Sequence, residues 1–170
     1  RTQGEDAPRG IEVVADEPGW LFQQRELHNQ RAPSTTRLSA LREMRSLGEL
    51  ARNHSKGCGG VMRVAPVGLF TWRLQEQGSP QEAFDLGTEL AALTHGHPTG
   101  SLTGGVLSVL VMVLLDGASL KEALEVAKTI LRSKTNHEET LSAIEMAEEL
   151  TASEIPHVEA IARLGLGWVA

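Results

Sequence analysis

The stretch from Asn53 to Pro66, and within it Ser55-Lys56-Gly57-Cys58-Gly59-Gly60, holds the residue types and spacing that could do chemistry, and that chemistry is anion binding. Gly57, Gly59 and Gly60 let the backbone take positive φ and leave its N–H groups uncovered by side chains. Consecutive exposed amides form an anion-binding nest, and a helix starting near Val61 would aim its unpaired N–H groups and positive dipole end the same way. Lys56 and Arg63 flank the glycines with positive charge and Ser55 adds a hydroxyl donor, so phosphate is the natural guest. The same glycines would also suit a tight interhelix turn. Named phosphate motifs do not fit: Lys56 precedes the glycines, Met62 stands where a dinucleotide fingerprint needs its third glycine, and no strand precedes the loop.

Other reactive residue types are weaker candidates. His95 and His97 follow an apolar helix beside Pro98; one could hydrogen-bond a substrate, or either could cap the end of its helix. Metal is another reading, but an H-x-H pair without a third nearby ligand is a weak signal for zinc. Cys58 near a helix N-terminus could be a nucleophile, but no histidine and acid are placed to activate it, and a small residue in a crowded turn explains it. In His137-Glu138-Glu139 the second histidine of a metalloprotease motif is replaced by Leu141, so this is a capped helix start. Glu138, Glu139, Glu145, Glu148 and Glu149 read as a solvated face.

The rest of the chain must position that loop. With 170 residues, net charge −6 and 41% hydrophobic residues, it suits one soluble domain, or a large part of one, over residues 1–170. A chain of this size buries roughly 70% of its unfolded surface and folds without disulfide or metal. Cys58 is the only cysteine, which fits a reducing cytoplasm. The acidic balance argues against nucleic acid or an anionic membrane as partner. The apolar run Val106 to Leu115 is shorter than the ~20 residues that cross a bilayer, so it is a buried core helix. Arg1 opens the chain without Met or an apolar signal core, as in a piece of a longer protein.

The pattern predicts an all-α fold, a compact orthogonal bundle of five to seven helices, incomplete at both ends. Residues 1–18, with one apolar triplet around Ile11-Glu12-Val13-Val14, read as loosely ordered. A short amphipathic helix from Trp20 breaks at Arg31-Ala32-Pro33, and a second carries Leu38, Leu41 and Met44. After the loop, a helix with Pro66 in its first turns ends near Gly78. Capping boxes at Ser79 and Ser119 open helices running to about His95 and through Leu131, and a buried helix spans about Leu102 to Asp116 and stops at Gly117. Asn136 to Glu139 predicts a further capping box, and Pro156 opens a last helix from His157 to about Leu164.

At two segments the chain resembles the ADP-ribosylglycohydrolase family, especially bacterial members similar to the dinitrogenase-reductase-activating glycohydrolases. Ser55-Lys56-Gly57-Cys58-Gly59-Gly60-Val61-Met62-Arg63-Val64-Ala65-Pro66 looks like the family's Ser-x-Gly-x-Gly-Gly-x-Met-Arg-x-x-Pro segment, and Ala92-Leu93-Thr94-His95 looks like its Thr-His segment. Arg31-Ala32-Pro33 and Leu166-Gly167-Trp168-Val169-Ala170 are weaker echoes. The resemblance implies that Ser55, Gly57, Gly59 and Gly60 line an ADP-ribose diphosphate site. It also implies that His95 contacts a ribose or shapes the cleft, and that Arg63 secures the loop and adds positive potential. Cys58 stands where many members have Asn, so the backbone cradle there is implied but a side-chain contact is not.

The function implied is magnesium-dependent hydrolysis of the bond between ADP-ribose and a protein side chain, with arginine favoured. The partner is an ADP-ribosylated protein or an ADP-ribose-containing small molecule. Members hold two magnesium ions with a Thr-Asp-Asp helix and a Gly-Asp-x-Asp segment, and this sequence contains neither, so its metal ligands are expected outside these residues and the 170-residue chain is expected to be inactive alone. Two alternatives stand beside this reading: an ADP-ribose or nucleotide binder without turnover, and a helical interaction domain using the Glu-rich face.

Overall fold

A computed structural model describes residues 19–28, 34–74 and 78–165. The expectations for residues 1–18, Arg31-Ala32-Pro33 and the segment from Leu166 lie outside them. The described residues form seven α-helices and no strand, so the chain has the all-α class expected of it.

Most helix limits follow from their caps. Helix α1 (Thr35–Glu43) begins where the Ser34 side chain accepts from the Arg37 N–H. After the glycine loop, a single 3-10 turn (Val61–Arg63) leads into α2 (Ala65–Arg73), with Pro66 in its first turn. Helices α3 (Pro80–Ala92) and α5 (Leu120–Arg132) open on the capping boxes Ser79/Glu82 and Ser119/Glu122. Between them α4 (Pro98–Leu115) ends before Gly117, whose φ of 87° is left-handed. Helix α7 (His157–Leu164) follows Pro156.

Four expectations are corrected. The helix expected from Trp20 is two 3-10 turns, Trp20–Gln23 and Arg25–His28. Trp20 and Leu27 are 70% and 60% exposed, so neither of them anchors a buried face that would extend a turn into a helix. Helix α2 closes at Arg73 rather than near Gly78, because the Leu74 N–H turns back to the Phe70 and Thr71 carbonyls. Helix α4 starts at Pro98, earlier than Leu102, because His97 Nδ1 accepts from the Thr99 N–H at 3.1 Å and caps it. Finally, α6 (Glu138–Thr151) has no capping box: Asn136 takes a φ of 56°, and the imidazole of His137 is engaged at Nδ1 by the Lys134 carbonyl, 2.7 Å away.

The core is organised around α4, which packs on α3, α2 and α5. Phe84, Val109, Ala127 and Leu131 are fully buried at its centre, and Val64, Val67 and Ala91 form a second cluster beneath the glycine loop. Helices α3 and α4 cross almost in backbone contact, since a Cβ on Gly104 would stand 2.7 Å from the Gly87 carbonyl oxygen and 2.8 Å from the Ala91 methyl. Helix α4 is apolar and long enough to cross a membrane by composition alone, but over half of it is buried inside the protein, which makes it the core helix expected.

Candidate functional site

The site is assembled by one side chain, Asn53, at the entrance to the glycine loop. Its Oδ1 accepts from the N–H groups of Ser55 and Gly96, each at 3.0 Å, and its Nδ2 donates to the Thr94 carbonyl at 3.0 Å. Beside it the Ala51 N–H donates to the Ala92 carbonyl at 2.9 Å. Gly96 leaves no room for a side chain against the Ala51 and Asn53 backbone. The segment before the loop is thereby laced to the end of α3 and to the Thr94-His95 segment.

The loop then closes over His95. A Cβ on Gly57 would lie 3.5 Å from His95 Nε2, one on Gly59 3.2 Å from the same atom, and one on Gly60 3.3 Å from Nδ1 and 2.8 Å from the Gly100 carbonyl oxygen. None of the three glycines has positive φ, and Gly60 is right-handed at φ −70°. The glycines are therefore needed for close approach and not, as the sequence suggests, for left-handed backbone. The Gly57 N–H donates to Ser55 Oγ at 3.3 Å, whereas no acceptor among the described residues takes the N–H of Cys58, Gly59 or Gly60. Those three amides are what remains of the nest.

His95 is 1% exposed and its Nδ1 lies 2.8 Å from Thr94 Oγ1. Burial lowers its pKa, and the charges of Arg63 and Arg37 lower it further, so the imidazole is held neutral. Arg63 secures the other side of the loop by donating from Nη2 to the Leu90 and Ala91 carbonyls at 2.6 and 3.2 Å, which satisfies acceptors at the end of α3. Cys58 is exposed with a free thiol.

Lys56 turns away from the glycines to Glu139 on α6, 2.6 Å from its carboxylate, and this contact draws the Glu139 pKa down. The Glu-rich face is thus not merely solvated: Glu139, Glu145 and Glu148 pair with Lys56, Arg132 and Lys128. His97 is the cap of α4, at the start of that helix rather than the end of the one before. The larger surface cavities lie elsewhere, one of about 670 Å³ between Leu47, Leu50 and the Leu86, Leu90 and Leu93 side of α3.

Two residues with roles here escape a reading of the sequence. Asn53 opens the reactive stretch but signals nothing by type, because its three partners lie two to 43 residues away. Arg37 belongs to α1 and comes to Gly59 only through the tertiary fold.

The ADP-ribosylglycohydrolase family model matches residues 3–170. No curated protein and no solved structure matches the chain.

Proposed function

Because the chain belongs to the ADP-ribosylglycohydrolase family, we propose that it serves the hydrolytic removal of ADP-ribose from modified protein side chains, with arginine as the linkage. The family acts on ADP-ribosylated substrates and is generally metal-dependent. The observation that supports a direct role for this chain is the lacing of the glycine loop to the Thr94-His95 segment by Asn53, which brings the two family-like motifs into one site. In this reading the Cys58 and Gly59 amides meet the diphosphate of ADP-ribose, and Ser55, Gly57 and Gly60 set the path of the loop. Arg63 holds it to α3, and neutral His95 supports it from beneath.

The family's metal dependence implies a cation that polarises the substrate and water. Among the described residues no three His, Cys, Asp or Glu side chains come together in a way that could hold one. The magnesium pair implied by the resemblance does not fit these residues, and what is left to them is binding and orienting ADP-ribose. That observation favours, as a second reading for the described residues, binding without turnover.

Calorimetry with ADP-ribose, paired with release of ADP-ribose from modified arginine with and without magnesium, separates the possibilities. We expect binding and no release. Magnesium-dependent release by the 170 residues would show that they do build a metal site, and absence of ADP-ribose binding would remove the reading altogether.

A further inference from the structure

Arg37 reaches the glycine loop from α1. Its Nε would lie 3.4 Å from a Cβ on Gly59, and Ser34 Oγ accepts from that Nε at 3.1 Å and from the Arg37 N–H at 3.4 Å. The cap of α1 thus also aims the guanidinium. Arg63 is engaged by the Leu90 and Ala91 carbonyls, Arg52, Arg132 and Arg163 pair with carboxylates, and Arg42 and Arg73 stand in water. Arg37 is half-buried and has no carboxylate partner among the described residues. It sits close enough to Arg63 and His95 for its charge to lower the pKa of both.

A cation with no carboxylate partner among the described residues, beside a second one and next to three amides with no acceptor among them, is a cluster whose electrostatic energy is relieved by an arriving anion. A guanidinium keeps several donors in a planar fork when one is engaged, here by Ser34, and such forks match phosphate oxygens. We propose that Arg37 is a ligand-binding residue of this site that grips the diphosphate held at the Cys58 and Gly59 amides. The proposal rests on the ADP-ribose reading for the identity of the ligand, but not for the class of group bound.

The test is calorimetry of the whole 170-residue chain with ADP-ribose and with inorganic pyrophosphate, in the unsubstituted protein, Arg37→Gln and Arg37→Lys. Arg37→Gln should weaken both ligands by about tenfold to a hundredfold, the range for a hydrogen bond to a charged group. It should also flatten the salt dependence of binding, and Arg37→Lys should recover part of the loss. Without ligand, Arg37→Gln should not lower the unfolding midpoint, and NMR titration should show the His95 pKa rising, because a repulsive neighbour has gone. If Arg37→Gln fails to fold, Arg37→Met keeps the aliphatic stem and should show the same loss. Unchanged affinity for both ligands in a folded variant would overturn the role of Arg37 while leaving ADP-ribose binding intact. Arg37-dependent binding of pyrophosphate with no binding of ADP-ribose would uphold Arg37 and remove the ADP-ribose reading; binding of neither ligand by the unsubstituted chain would remove both.

Discussion

The imidazole of His95 fills the inside of the glycine loop so closely that a Cβ on Gly59 would stand 3.1 Å from its Cε1. The loop is moulded on a neutral aromatic ring, and its unpaired amides belong to the turn around that ring.

Gly59→Val should therefore act through collision with His95 and Arg37 rather than through backbone strain. Overpacking of this kind costs roughly 1–3 kcal/mol. Urea unfolding should show a loss in that range, and ADP-ribose affinity should fall by more than the stability change accounts for. Equal affinity in the folded variant would return the loop to the role of a simple turn.

Asn53→Ala removes three hydrogen bonds at once and leaves the Gly96 and Ser55 N–H groups without their acceptor. Loss of such partners costs ~1–3 kcal/mol. Asn53→Asp keeps the acceptor for both amides but turns a carboxylate oxygen toward the Thr94 carbonyl in place of the donor, so its unfolding midpoint should lie below that of the parent and, where the two amide bonds outweigh that repulsion, above that of Asn53→Ala. An Asp variant as damaged as the Ala variant would mean that the contact with the Thr94 carbonyl outweighs the lacing of both amides.

The depressed pKa of His95 has a pH signature. Its ordinary value is 6.5, and burial first, then Arg63 and Arg37, lower it in the folded chain. Below pH 6.5 the unfolded chain takes up a proton that the folded chain refuses, so stability is full above that pH and declines as the pH falls toward the folded value. His95→Asn should flatten this part of the stability profile. A profile that keeps its full slope in the variant would assign the titration to another group.

Gly104→Ala probes the scaffold alone. The new methyl meets the Gly87 carbonyl at 2.7 Å, a backbone atom that cannot rotate away. The helix pair must part, with a loss of about 1–3 kcal/mol or more. The chemical denaturation midpoint should drop, and a variant as stable as the parent would show that α3 and α4 are less tightly held than their geometry indicates.

Much of this architecture is legible in the residues because its signals are local. Ser79 and Ser119 announce their helices through side chains that reach only three residues ahead, and Pro156 opens α7. The signal fails where a distant or competing partner decides. Asn136 has the type and spacing of a cap, but its left-handed backbone and the bond between His137 and the Lys134 carbonyl end that possibility. The glycines mark a close approach without saying to what, and the answer, His95, lies 35 residues or more along the chain. Arg37 looks like any surface arginine of a short helix until the fold brings it to Gly59.

Three of the bonds that shape the loop span similar lengths of chain: 41 residues from Asn53 to Thr94, 43 to Gly96, and 44 from Val64 to Ser108. Closing loops of that size is an entropic debt that the loop's own few contacts do not meet, and only the docking of α3 on α4 brings the ends together. The loop sequence transplanted as a peptide would carry the motif without its shape. In the whole chain, the exposed Gly96 amide can exchange its hydrogen by local loss of its bond to Asn53, whereas opening of the α3–α4 pair should release the binding loop and the core together.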